Sequence, residues 1–450
     1  MTDKLFSTLS AMEKENRRLS DALSDGCSLS DYLHLVRGGV WTDALQRALS
    51  EHTTVTVPPS DVPYTLDAPI VIPSDRTVVA YGAVFVPAPG VRTLMMRNEH
   101  PVDGSRLPVR GAARDRNITI LGGRFDERLT ARKGYGLSGR FSEDGSFKGV
   151  SCCLFFCNVD RLTLRDVTFA HCGGFAVQTG ELENAVFRNV RFEDCFADGI
   201  HICGNTKNVL MVDIKGSVGD DIVALNMYDW QNSSVNFGPG ENIWCEDLSL
   251  DKNGRYKAIR LEPGRYFFDD GSSVDCSLKN VVIKKVRGIR TFKIYLQTPP
   301  YLIGTDPERG DKGSAENITF EDIDVDLCAP IDPFPDYSNG DPVRGACAAF
   351  ELGADTDGLT LRNVRLTLHR DALPESYLLT VGPKSIVNNG HEVFDPYISC
   401  AVKNITLDNV VINGEKITDC KGFIKEIVFD DIDGDGFSTG AGKVENITVL

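Results

Sequence analysis

The sequence predicts an all-β protein: a single-stranded parallel β-helix, a solenoid of short strands, closed at its N-terminal end by a helical cap. Three observations carry this. A polar turn residue, usually Asn, opens a run of similar segments: NITILGGRF (117–125), DRLTLRDVTF (160–169), NAVFRNVRF (184–192), NVLMVDIKG (208–216), NIWCEDLSL (242–250), NVVIKKVRG (280–288), NITFEDIDV (317–325), GLTLRNVRL (358–366), NITLDNVVI (404–412), EIVFDDIDG (426–434) and NITVL (446–450). Self-similarity at such spacings is the mark of stacked repeats. Within each segment apolar residues alternate and are rich in Val, Ile, Thr and Phe, which is strand patterning with one face in a core. An irregular β-sandwich is the competing reading.

Each element follows from local chemistry. Residues 2–24 read as a helix with Leu5, Met12 and Leu19 at heptad spacing, which packs on the body of its own chain or makes a homo-oligomer contact. TDALQRALS (42–50) reads as a short amphipathic helix with Thr42 as N-cap and Leu45, Ala48 and Leu49 inward, covering the open end of the solenoid. The expected division is therefore a helical segment over 1–50 and a β-helix domain over 51–450. The repeating Asn suits turns in the left-handed conformation, which Asn tolerates. Between the strands lie long insertions, 226–241, 263–279, 297–316 and 328–347, rich in Pro, Gly, Tyr and Asp. Long loops over a regular scaffold carry binding.

Composition narrows the partners. A net charge of −16 argues against nucleic acid or an anionic membrane, which need a basic footprint. The polar start, MTDKLFSTLSAMEKENRRLSDALSDG, contains no apolar run of signal-peptide type, so a cytoplasmic location is expected. The thirteen cysteines are scattered, SCCLFFC matches no metal spacing, and they read as buried reduced thiols. No metal and no cofactor are expected.

The chemistry concentrates in FADGIHICGNTKNVLMVDIKGSVGDDIVALN (196–226). Asp198 and Asp220 are 22 residues apart, about one coil, so they fall on neighbouring rungs, and Asp221 adjoins Asp220. Three carboxylates that close repel one another, so at least one should keep its proton near neutral pH. An acid that holds its proton beside an ionised base is what glycosidic-bond hydrolysis requires. Each cluster alone is also an ordinary Asp/Gly turn.

ADGIHI followed by GDDIVALN resembles the Asn-Thr-Asp-Gly-Ile-Asp and Gly-Asp-Asp motifs of the family 28 glycoside hydrolases, the polygalacturonase group. CLFFCNVDRLTLRDVTFAHCGGFAVQTG (153–180) resembles the rung before those motifs, and APIVIPSDRTVVAYGAVFVPAP (68–89) the N-terminal coils; the likeness covers roughly 40–300. The resemblance implies a right-handed parallel β-helix, with Asp220 as the general acid and with Asp198 and Asp221 activating the water. KAIRLEPG (257–264) stands where the family has Arg-Ile-Lys: Arg260 matches, and Glu262 replaces the Lys. In KIYLQ (293–297), Lys293 and Tyr295 face outward, and Tyr295 fits the family's sugar-binding Tyr. Gln178 joins this substrate-binding set from the preceding rung. There is no Gly-His-Gly between Asp221 and Arg260, and His201 lies where the family carries a further Asp. It is the imidazole available to the same groove.

The expected function is an inverting, exo-acting glycoside hydrolase on an oligosaccharide. Glu262 favours a neutral or modified glycan over long polygalacturonate, while Arg260, Arg290 and Lys293 leave room for one acidic sugar. A β-helix polysaccharide lyase, or a glycan-binding β-helix without turnover, are the alternatives.

Overall fold

The computed structural model describes residues 2–91, 94–101, 113–131, 150–228, 234–251, 257–267, 271–294, 310–311, 313–327, 347–371, 374–382, 386–388, 391–393, 399–429 and 440–450. It is a parallel β-helix. One large sheet system runs the length of the chain, and its strands pair with the equivalent strand of the next coil almost entirely in parallel.

The stacking can be followed residue by residue. On one face Thr119, Thr163, Val186, Leu210, Trp244, Val282, Thr319, Thr360, Thr406 and Thr448 lie in register on consecutive coils. One position further on, Ile120, Leu164, Phe187, Met211, Cys245, Ile283, Phe320, Leu361, Leu407 and Val449 form the inward column. Inward residues from all coils join one continuous core, along which Tyr64, Phe85, Phe125, Phe169 and Phe192 are spaced 5.1 to 6.0 Å apart.

The Asn residues do what their left-handed preference predicts. Asn184, Asn208, Asn242, Asn280 and Asn317 all have φ between 55° and 58° or at 60°. The Asn184 side-chain amide donates to Asp160 at 2.8 Å, and each of the other four donates to the Asn before it at 3.0 to 3.2 Å. Where Gly358 takes the position, φ is +80°, a value glycine adopts without strain. A second left-handed corner recurs at Asp166, Asn189, Asp213, Asp247, Lys285, Asp322, Asn363 and Asn409.

Three details differ from the sequence reading. EIVFDD does not supply a rung of the Asn ladder, because Ile447 pairs directly with Ile405. Instead Ile424–Glu426 pairs with Ser376–Val381 on another face, Val428–Phe429 turns back antiparallel, and 430–434 lies outside the described residues. The first helix, α1 (Thr2–Asp21), packs Leu5, Leu9 and the partly buried Met12 on Val186, Leu210, Trp244 and Val282 of its own chain, so that Leu9 joins two of the heptad-spaced residues in the contact. Glu13 clamps Arg165 and Arg188 beside it. The second helix, α2 (Thr42–Glu51), buries Ala44, Leu45, Ala48 and Leu49 against the first strands, but Trp41 is its N-cap. The Thr42 hydroxyl is used on Asp67 instead. The strand Gly26–Ser28, between the two helices, already belongs to the main sheet. No helix among the described residues is long and apolar enough to cross a membrane. Eleven described cysteines are free, nine of them buried.

Candidate active site

The face that carries the acids is made of short strands: Ile200–Cys203, Val223–Asn226, Ala258–Glu262, Thr291–Ile294 and Cys347–Leu352. Register places Gln178, His201, Ala224, Arg260, Lys293 and Glu351 in one column, one residue per coil. Ile259 and Leu261 point into the core, so Arg260 and Glu262 point out, as alternation requires.

The acids sit in the turns just before these strands. Counting back three residues from the paired His201 and Ala224 gives Asp198 and Asp221. Asp221, rather than Asp220, is therefore the residue in step with Asp198. The Asp221 N–H donates to an Asp198 carboxylate oxygen at 3.2 Å, and the Gly199 N–H donates to the Asp221 carbonyl at 2.9 Å. The flanking glycines have a steric cause: a Cβ on Gly199 would lie 2.6 Å from the Ile222 carbonyl oxygen, and one on Gly219 2.4 Å from that of Phe196. One oxygen each of Asp198, Asp220 and Asp221 lies within 4.8 Å of the others.

Their surroundings set their protonation. All three are buried, with at most 5% of their surface exposed. Burial holds the Asp221 carboxyl well above its ordinary value; Arg260 opposes this, while Asp220 and Asp198 add to it. Arg260 bridges the group: its Nε is 3.1 Å from Asp221, and its two Nη atoms are 3.7 Å from Asp220 and 3.8 Å from Glu262. Asp198 binds His201 Nδ1 at 2.7 Å. Burial works against an imidazolium there, but the Cys203 sulfur and Asp198 outweigh it and hold His201 well above its usual value. Burial pulls the Lys293 ammonium below its ordinary pKa, against the pull of Glu351, Asp221 and Asp220.

The structure brings together Asp198, Asp220, Asp221, His201, Arg260, Glu262 and Lys293. Gln178 adjoins them in register, and its side-chain carbonyl accepts from the Ser151 N–H at 3.0 Å. Tyr295 lies outside the described residues. Two neighbours of the site, and one buried acid on an adjacent coil, escaped the sequence reading. Phe175 stacks on the His201 ring at 4.0 Å, and Glu351 is the cross-strand neighbour of Lys293. Glu127 is bonded to the Gly173 N–H, and burial pushes its carboxyl up to about 7. The alternation of AAFELG would have pointed Glu351 outward; nothing local signals that it meets Lys293, 58 residues earlier.

The outward face on either side of the acids is asymmetric. Towards the N-terminus the outward face is filled by a buried apolar cluster that includes Leu94, Val150, Phe155, Phe175 and Val235. Towards the C-terminus the column is charged: Arg260, Lys293, Glu351.

No family model matches the chain. Over 224 residues it is 26% identical to polygalacturonase QRT2 of Arabidopsis thaliana. Over that stretch the chain is similar to a polygalacturonase. The aligned part is 45% of this chain and 44% of that relative, so the likeness spans less than half of either. Solved structures similar to it include the endo-xylogalacturonan hydrolase of Aspergillus tubingensis (13% identity, TM-score 0.46, 94% of this chain and 100% of that one). An exopolygalacturonase of Thermotoga maritima matches at 12% identity and TM-score 0.45, over 90% and 97% of the two chains. PfbA, a surface adhesin of Streptococcus pneumoniae, matches at 11% identity and TM-score 0.46, over 94% and 100%.

Proposed function

We propose that this chain is a glycoside hydrolase acting on an oligosaccharide from its end. The observation that supports it best is the acid cluster: three buried Asp residues with one oxygen each within 4.8 Å of the others, among which burial raises the pKa of Asp221. In this reading Asp220 delivers the cluster's proton to the leaving oxygen and Asp198 activates the water, while Asp221, whose proton burial favours at rest, orients that water and resupplies Asp220. His201 fixes Asp198 through the 2.7 Å bond, so the imidazole positions the base. Arg260 and Lys293 balance the charge of the cluster. Inversion is retained from the family resemblance. The nearest acid oxygens are closer than the roughly 6.5–9.5 Å that inverting enzymes ordinarily leave for a water. Proton NMR of the first-formed anomer decides between inversion and retention.

The apolar cluster supports action on chain ends. Phe155, Phe175 and Val235 fill the outward face on the N-terminal side, which favours a substrate that extends along the charged C-terminal rungs. A single released unit size from a defined oligomer is the expected product pattern; a ladder of sizes would overturn exo-action.

The deciding experiment screens wild type and Asp220→Asn on aryl glycosides and oligosaccharides of galacturonate, rhamnose, galactose, xylose and N-acetylgalactosamine. New reducing ends should appear with wild type and fall about 10²–10⁴-fold in the variant. Equal rates would remove Asp220 from its role. One observation favours a second reading: Lys293, its ammonium destabilised by burial, is the base a lyase would use. Unsaturated-uronate absorbance, lost on Lys293→Gln but kept in Asp220→Asn, would establish the lyase. Glycan binding without either product would leave a binding protein.

A further inference from the structure

Lys257 and Arg290 stand on the same corner of the solenoid as the acids. Three residues back from the paired Ala224 and Arg260 lie Asp221 and Lys257, and Arg290 is one coil further on, its N–H donating to the Lys257 carbonyl at 2.7 Å. At a strand spacing of about 4.8 Å, they follow Asp221 by roughly 5 and 10 Å along the axis, the length of one or two sugar rings. Both line a cavity of about 470 Å³ that also takes in Asp324, Asp326 and Arg365.

The charge balance of this cavity differs from that of the acid site. Asp324 is bound by Arg365 through two bonds of 2.5 and 2.9 Å, and Asp326 is bound by His369 at 2.6 Å. Among the described residues, neither Lys257 nor Arg290 has a carboxylate partner, and the buried Arg290 Nε has no hydrogen-bond partner. In the acid column, by contrast, Arg260 is engaged by Asp220, Asp221 and Glu262. Lys293 there faces Glu351. A substrate anion in that column would meet a site already rich in carboxylates; at the corner it would meet two uncommitted cations.

We propose that Lys257 and Arg290 form an anion subsite that takes an acidic substituent of the glycan, a carboxylate or a sulfate ester, beside the reacting unit. This rests on the reading of the chain as a glycan-binding hydrolase for its biological use, but not for its test. Guanidinium and ammonium donors side by side suit a planar or tetrahedral oxyanion.

The test is calorimetric titration of the full chain with galacturonate, inorganic sulfate and galactose. The variants are Arg290→Gln and Lys257→Asn; Asn keeps the left-handed backbone of Lys257, whose φ is 55°. Expected is anion binding that weakens about tenfold or more in the double variant, with galactose indifferent to both changes. Preference for galacturonate assigns a carboxylate, and preference for sulfate an ester. A melting curve like wild type's shows the double variant folded. Anion affinity equal in wild type and a folded double variant, or no anion binding at all, overturns the subsite. Because binding is read without turnover, a failed hydrolase reading and a failed subsite give different results. If turnover is found, KM for acidic substrates should rise relative to KM for neutral ones.

Discussion

Two outward faces of this solenoid are buried, and they are built on opposite terms. Under α1, the stacked positions Val186, Leu210, Trp244 and Val282 are apolar, and Leu5 and Leu9 seal them, with Phe6 against the Trp244 ring at 4.9 Å. The other coils carry Thr in this column. At the acid site, the stacked positions are His201, Arg260, Lys293 and Glu351, each at most 7% exposed. Register forces neighbours together in both places. Apolar neighbours gain by it; charged neighbours must neutralise one another or give up a proton. The helix-covered face supplies stability, whereas the acid face holds its charges at a cost in stability.

The comparison can be broken by mutation. The largest effect on folding should come from Arg260→Ala, which leaves buried Asp221 and Glu262 uncompensated and should cost about 3–5 kcal/mol in denaturant unfolding. Adding Asp221→Asn should recover part of that, read as a coupling energy in a double-mutant cycle. A loss near zero would mean the acids are not buried with Arg260. Leu9→Ala should cost about 2–4 kcal/mol by opening a cavity over Leu210 and Trp244, while turnover by the intact remainder persists. Little change would mean the helix does not seal that face.

The pH response separates the faces further. Asp221 has its folded pKa raised, so it binds its proton more tightly folded than unfolded. Its contribution is fully present below the unfolded value, near 4, and is lost as pH rises through the raised folded value. Wild type should therefore lose stability towards neutral pH with a slope that Asp221→Asn lacks; parallel melting curves against pH would contradict this. The smallest effect is expected in the Asn ladder: Asn242→Ala should cost about 1 kcal/mol for its lost amide bonds and left-handed preference. Asn242→Gly should lose less, because glycine keeps the backbone conformation.

What was legible in the sequence is what is local. Alternation fixed which side of each strand faces the core, and Asn at the left-handed corner marked where each coil turns, because both depend on the φ/ψ preference of one or two residues. The two Asp clusters one coil apart announced a shared site for the same reason, and Arg260, Glu262 and Lys293 emerged on the face that alternation gave them. What the sequence left open is everything set by excursion length. Leu210 and Trp244 are 34 residues apart and Lys293 and Glu351 are 58, yet both pairs are neighbours. No local signal says how far the chain wanders before it returns to the next rung. For that reason EIVFDD read as a rung and is not one, and Asp220 read as the partner in step with Asp198 when it is Asp221. The side chains themselves determined that this chain forms a coil and that acids crowd at one corner of it. Only the stacked structure decided which charges meet, because strand register is a property of two coils and belongs to neither alone.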